Sequence, residues 1–156
     1  MAEKFTDLSG KNNAGEDVDY SSFAGKVVLA VNVARLWDVA EVPGLIELGK
    51  KHEGKGLQLL FFPCNQFCQE EPGTAEEIAN FYVRQHGLPA SWLMERADVN
   101  GPDTQPTYVF LKNGLPGEIE WNFSKFIVGR DGLVLARFGQ NVKPAELEEK
   151  ILTWLG

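Results

Sequence analysis

Cysteine is scarce in this chain: Cys64 and Cys68 are the only two among 156 residues. Two thiols build no disulfide framework, and Met1–Asp7 is polar, with no signal-peptide core. Both features point to a reducing compartment, the cytoplasm, or an organelle interior if a transit peptide has been removed. Histidine is equally scarce, and neither His52 nor His86 stands at ligand spacing from other donors. No metal site and no cofactor is therefore expected. No apolar run approaches the roughly 18–20 residues that cross a bilayer. Positive charge is in deficit: 15 Lys and Arg against 22 Asp and Glu leave a net charge of −7. That balance argues against nucleic acid and against anionic membrane surfaces as partners. Gly-rich phosphate loops, internal repeats and linkers are also missing, so residues 1–156 read as one domain.

What is present is a strand and helix alternation. Phe5–Leu8 and Val18–Phe23, separated by Gly- and Asn-rich turn signals, predict an N-terminal β-hairpin. Lys26–Ala34 and Leu57–Phe62 are continuous apolar runs, the pattern of strands buried on both faces of a sheet. Between them Leu45, Leu48 and His52 recur at helical spacing, with Pro43 near the start and Gly49, Gly54 and Gly56 helping to end the helix. Thr74-Ala-Glu-Glu77 is a capping box that opens a helix carrying Ile78, Phe81, Tyr82 and Gln85. A short strand is expected around Trp92–Ala97. Pro106–Lys112 suits a strand or a two-turn helix. Phe123–Val128 and Leu133–Phe138 flank Gly129-Arg-Asp-Gly132, and Asp-Gly is a strong hairpin signal. Pro144–Leu155 is an amphipathic helix on the stripe Leu147, Ile151, Trp154 and Leu155. Its glutamates read as a solvated face. The sum is an α/β protein of thioredoxin-like fold, a central mixed sheet flanked by helices.

The chemistry is concentrated in Phe61–Gly73, F-F-P-C-N-Q-F-C-Q-E-E-P-G, which holds both cysteines. F-P-C-N-Q-F at Phe62–Phe67, E-P-G at Glu71–Gly73 and W-N-F-S-K-F at Trp121–Phe126 resemble the glutathione peroxidase family. Asn32-Val-Ala34, Glu76-Glu-Ile78 and the Asp131-Gly132 hairpin fit it too, so the resemblance runs over nearly the whole chain. It implies a thioredoxin fold, a helix at Pro106–Lys112, and the short form of the family. It further implies reduction of hydroperoxides by a cysteine or selenocysteine, with glutathione or thioredoxin as reductant. In that family the nucleophile stands three residues after N-V-A, at the mouth of a helix, where the helix N-terminus favours a thiolate.

Here that position is Trp37, and no cysteine precedes Cys64. Counting back from E-P-G puts Glu70 where the family has its glutamine, with Gln69 one residue away. Trp121 and Asn122 retain the family's Trp-Asn pair. The resolving-cysteine position of thioredoxin-dependent members corresponds to Tyr82, and Asp38–Gly44 is about two residues shorter than the family's segment. These changes argue against the family's peroxidatic chemistry and for a binding or structural-subunit role.

Three readings of Trp37 stay open. It packs on Trp121 and fills the vacated pocket, it joins Phe67 and Trp121 in an apolar partner-binding face, or it is a selenocysteine whose UGA codon was read as tryptophan. Cys68, where the family usually has glycine, is the alternative nucleophile. Glu70 and Glu71 nearby disfavour a thiolate there unless Arg35 folds over the loop. Cys64, following a strand, reads as a small buried hydrophobe.

Overall fold

The computed structural model describes residues 2–36 and 38–156. Its four-stranded sheet has the order β4-β3-β5-β6. β3 (Val27–Val33) and β4 (Leu57–Pro63) are parallel and joined through α1 (Val42–His52). β5 (Lys125–Val128) runs antiparallel to β3, and β6 (Val134–Phe138) antiparallel to β5. Every residue of β3 and β4 is buried, as their unbroken apolar runs require.

The pleat divides these strands between two cores. Val27, Leu29, Val31 and Val33 join Leu57, Leu59 and Phe61 under α1, α2 (Ala75–Ala79) and α4 (Pro144–Leu155). Val28, Ala30, Leu60 and Phe62 face α3 (Pro106–Gly114) and the N-terminal segment. The sheet is thus the middle of three layers. Pro106–Lys112, ambiguous in sequence, is helical because Tyr108 and Leu111 turn to one face and bury there, with Pro106 at the first turn. Gly49 lies inside α1 rather than helping to end it. A Cβ there would meet Trp92 at 2.8 Å and Leu59 at 3.0 Å, so its absence lets the helix lie close on β4.

Two strand expectations are corrected. The N-terminal hairpin exists, but its strands are β1 (Ser9–Lys11) and β2 (Asp17–Asp19). Phe5–Asp7 and Tyr20–Phe23 are 3-10 turns instead. Their apolar residues plug the second core, with the Phe5 and Tyr20 rings stacked at 4.6 Å. Around Trp92–Ala97 no full strand forms. Ala90–Trp92 is a 3-10 turn, and Leu93 and Met94 make single bridges to Phe61 and Asn12.

The Thr74 capping box is in place: Thr74 Oγ1 accepts from the Glu77 amide at 3.2 Å, and Glu77 Oε1 accepts from the Thr74 amide at 3.4 Å. Beyond Ala79 the helix widens into a π-helical segment, Asn80–Gln85. In α4, Leu147 and Ile151 are buried and Trp154 and Leu155 half-buried. Glu148 departs from the solvated-face reading, since it accepts from His52 Nε2 at 2.7 Å and pairs with Lys51 at 3.1 Å.

One charge lies inside the first core. Lys125 of β5 has no exposure, and its Nζ meets Glu41 Oε1 at 2.5 Å, just before α1. Burial pushes the Lys125 ammonium below the usual lysine range, and Glu41 opposes the shift. Removing one member of a buried pair strands the other, at a cost of about 3–5 kcal/mol. Glu41→Gln is expected to lower stability to urea by about 3 kcal/mol, with Lys125→Met costing clearly less because the carboxylate left behind keeps Lys143 at 3.4 Å. Equal losses in the two variants would show that the pair is not the determinant.

Candidate active-centre loops

The loops leaving the C-terminal ends of β3 and β4 meet the Trp121–Ser124 segment that leads into β5. Asn32 is the hinge of this meeting. Its Nδ2 donates to the Trp121 carbonyl at 3.0 Å, its Oδ1 accepts from the Ser124 amide at 3.2 Å, and its own carbonyl takes the Phe123 amide at 2.7 Å. Phe123 sits at φ 61°, left-handed for a bulky residue, and its side chain is buried in the first core. The turn so formed leaves Trp121 half-buried and Asn122 buried.

The loop after β4 is fixed by Glu71, which has no exposure. Its carboxyl accepts from the Arg35 guanidinium at 2.8 Å, the Arg35 amide at 3.2 Å and the Tyr82 phenol at 2.7 Å. Its amide donates to Asn65 Oδ1 at 2.9 Å, and Arg96 donates to its carbonyl at 2.8 Å. Burial pushes the Glu71 carboxyl up, opposed by the hydrogen bonds from Tyr82 and Arg35. The same burial, with Glu71 adjacent, holds the Tyr82 phenol well above its ordinary value. Arg35 therefore serves Glu71, with Glu77 at 3.7 Å, and is committed away from Cys68.

Glu70 and Asn122, 52 residues apart, are brought together: Asn122 Nδ2 donates to Glu70 Oε1 at 2.8 Å. The Glu70 carbonyl also takes the Leu36 amide at 3.0 Å, tying the loop before position 37 to the E-P-G loop. Glu70 and Asn122 line a cleft of roughly 10 Å³ with Ala34, Asp38, Trp121, Phe123 and Gln140. Trp37, which the family resemblance places at the nucleophile position, lies outside the described residues.

Phe67 and Trp121 touch, ring centroids 5.8 Å apart. Phe67 is only 9% exposed, however, so it does not contribute to the exposed apolar face expected of it. Among the described residues, the exposed large apolar side chain of this region is Leu36, at 57%. Neither Leu36 nor Gln140 stood out in the sequence. Only the tertiary fold brings Gln140, between β6 and α4, to the cleft.

The cysteines behave differently from each other. Cys64 is buried, its Sγ 3.4 Å from Gln66 Oε1, and burial pushes its thiol up. Cys68 is exposed on a turn at φ 55°, followed by Gln69 at φ 52°. Both are free thiols. Among the described residues no group of three or more His, Cys, Asp and Glu could hold a metal ion, and no helix is long and apolar enough to cross a membrane.

A family model described as glutathione peroxidase matches residues 5–112. The chain belongs to the glutathione peroxidase family. Glutathione peroxidase-like peroxiredoxin 2 of Saccharomyces cerevisiae is 40% identical over 161 aligned residues, 99% of each chain. The crystal structure of apo Trgpx superposes with a TM-score of 0.79 at 30% identity, covering 99% of this chain and 97% of that one. A thiol:disulfide interchange protein of Chlorobium tepidum, of the thioredoxin family, shares the fold at a TM-score of 0.74 and 16% identity. The thioredoxin-like fold and the family resemblance drawn from the motifs both hold for this glutathione peroxidase homologue.

Burial sets the order of thiol reactivity. In a time course with iodoacetamide followed by intact mass, one alkylation, at Cys68, is expected in the native state. Cys64 should react only after unfolding. Tyr82→Phe removes a donor from a buried carboxyl and is expected to cost about 1–3 kcal/mol by urea titration. No loss in that variant would remove the phenol from the structural account.

Proposed function

We propose that this glutathione peroxidase homologue has lost the peroxidatic chemistry of its relatives and serves as a binding or structural subunit through the former active-centre end of the sheet. The single observation that carries this reading is the identity of position 37. Three residues after N-V-A stands an indole, which has no ionisable group and cannot take an oxygen from a peroxide. Reduction of a hydroperoxide needs a thiolate or selenolate that attacks the O–O bond, takes the terminal oxygen as a sulfenic or selenenic acid, and releases an alcohol or water. Retention of the core and of the loop network around Glu71 and Asn32 favours a stable protein selected for something other than that step. A partner would meet Leu36, Trp121 and the acidic pair Asp38 and Glu70 at this end.

A second reading rests on the exposure of Cys68, in the same loop as Phe67, which touches Trp121. In that reading Cys68 is a relocated nucleophile and glutathione or thioredoxin is the reductant. Against it, Cys68 lies on a turn outside any helix and close in sequence to two carboxylates.

Coupled NADPH assays with glutathione or thioredoxin, on hydrogen peroxide and a lipid hydroperoxide, separate the two. The expected result is turnover roughly 10³-fold or more below an active relative, unchanged in Cys68→Ser. Turnover at the relative's rate overturns the proposal, and its loss in Cys68→Ser but not Cys64→Ser would establish the second reading.

A further inference from the structure

The helix α3 carries two stripes of side chains. Thr107, Tyr108 and Leu111 are buried. Pro106, Val109, Phe110 and Asn113 follow one another at i, i+3, i+4 and i+7, and all four line a groove of roughly 590 Å³. Leu8 of the N-terminal segment and Leu133 and Val134 of the β5–β6 hairpin continue its apolar wall. The wall is held from both ends of the stripe. Phe110 meets Phe5 edge-on, ring centroids 6.2 Å apart, and Gly114 lies so close to the hairpin that a Cβ there would meet Val134 Cγ2 at 2.6 Å.

A helix that is apolar on two sides calls for cover on both. The second stripe has it only in part: Val109 is 42% exposed and Leu133, on the hairpin, 48%. Among the described residues five large apolar side chains are exposed, and these two meet at one hollow. Concavity sets them apart from scattered surface hydrophobes. The groove is remote from the candidate active-centre loops. Val134 pairs with Val128, and Val128 with Val28 near the start of β3, whereas those loops leave the other end of the sheet.

From these observations we propose that the groove beside α3 is a binding site for a small, uncharged apolar molecule. It stands apart from the reading of position 37. Pockets of about 300–1,000 Å³ with mostly apolar walls are those that enclose such ligands. Charge selects against an anion. Glu3 is the one charged residue lining the groove, while Lys4, next in the chain, packs its stem by Gly132 and does not line it. An anion would leave water for a wall that holds a carboxylate and no cation. A cation would have only the exposed Glu3, and exposed pairs contribute little. Thr104 Oγ1 already donates to the Gly101 carbonyl at 2.7 Å, so it offers a ligand a lone pair. The polar group that suits the site is therefore a neutral N–H or O–H donor.

The test is a fluorescence titration of the full chain with N-phenyl-1-naphthylamine, which is neutral, apolar and carries one N–H. Its 8-sulfonate, the same skeleton with a negative charge, forms the parallel arm. Saturable binding of the neutral probe is expected, with the sulfonate roughly tenfold weaker. Methyl shifts by NMR should fall on Val109 and Leu133 and spare Leu152. Val109→Gln and Leu133→Gln, both at partly exposed positions, should each weaken binding by roughly fivefold or more. Leu152→Gln, an equally exposed site on α4, should leave it unchanged. Circular dichroism reports whether each variant is folded, and either groove variant serves alone if the other is not.

Absence of saturable binding overturns the proposal. So does binding that survives both groove variants, or that Leu152→Gln weakens as much. Sulfonate binding as tight as that of the neutral probe overturns the assignment to an uncharged ligand. The molar mass in solution covers the remaining occupant. A dimer that Val109→Gln and Leu133→Gln dissociate would mean that a second copy covers the groove, and that result also overturns the proposal.

Discussion

A carboxyl group with no exposure, at the end of the sheet where chemistry is usually placed, is expensive unless its bonds are complete. Glu71 completes them from separate parts of the chain. Arg35 arrives from the end of β3 and Tyr82 from the π-helical turn beyond α2, while Asn65, from the loop that β4 opens, accepts the Glu71 backbone amide. Arg96 adds a clamp on the carbonyls of Glu71 and Gly73. The loops around position 37 are therefore fixed by a polar network, which is all-or-none in character: each member lost leaves a buried group stranded.

Asn32 does for the Trp121 segment what Glu71 does for the E-P-G loop. With both amide ends and its own carbonyl engaged, it sets Phe123 into a left-handed conformation that a phenylalanine adopts only under constraint. That constraint sends the Phe123 ring into the core and leaves Asn122 beside Glu70. Tyr82 shows the same economy. It stands where thioredoxin-dependent relatives are expected to carry a resolving thiol, and its phenol is spent on holding Glu71 instead.

Much of the scaffold was legible because its signals are local. Unbroken apolar runs meant doubly covered strands, Thr74 and Glu77 meant a helix start, and Asp131-Gly132 meant a hairpin. The failures came where tertiary burial overrode the local pattern. Phe5, Tyr20 and Phe23 look like strand residues but are core plugs on tight turns, while the paired strands beside them, Ser-Gly-Lys and Asp-Val-Asp, have little apolar content. At the site, counting from E-P-G put Glu70 at the family's glutamine position, and the fold joins it to Asn122 by a hydrogen bond. The partnership of Lys125 with Glu41 and the arrival of Gln140 had no such ruler, since each joins residues far apart in the chain. A lysine inside the apolar run Phe123–Val128 was the one visible sign that a buried anion must face it.

The electrostatics of the cleft bear on whether position 37 alone distinguishes this protein from its relatives. A peroxidatic centre must favour a thiolate, so it needs donors and positive potential around the sulfur. Here Glu70 stands where the family resemblance implies a glutamine, and Asp38 follows position 37 directly in the chain. Both line the cleft with Asn122. Arg35, three residues before Asp38 in the chain, is held by Glu71. A recoded selenocysteine would leave Asp38, Glu70 and the committed Arg35 unexplained.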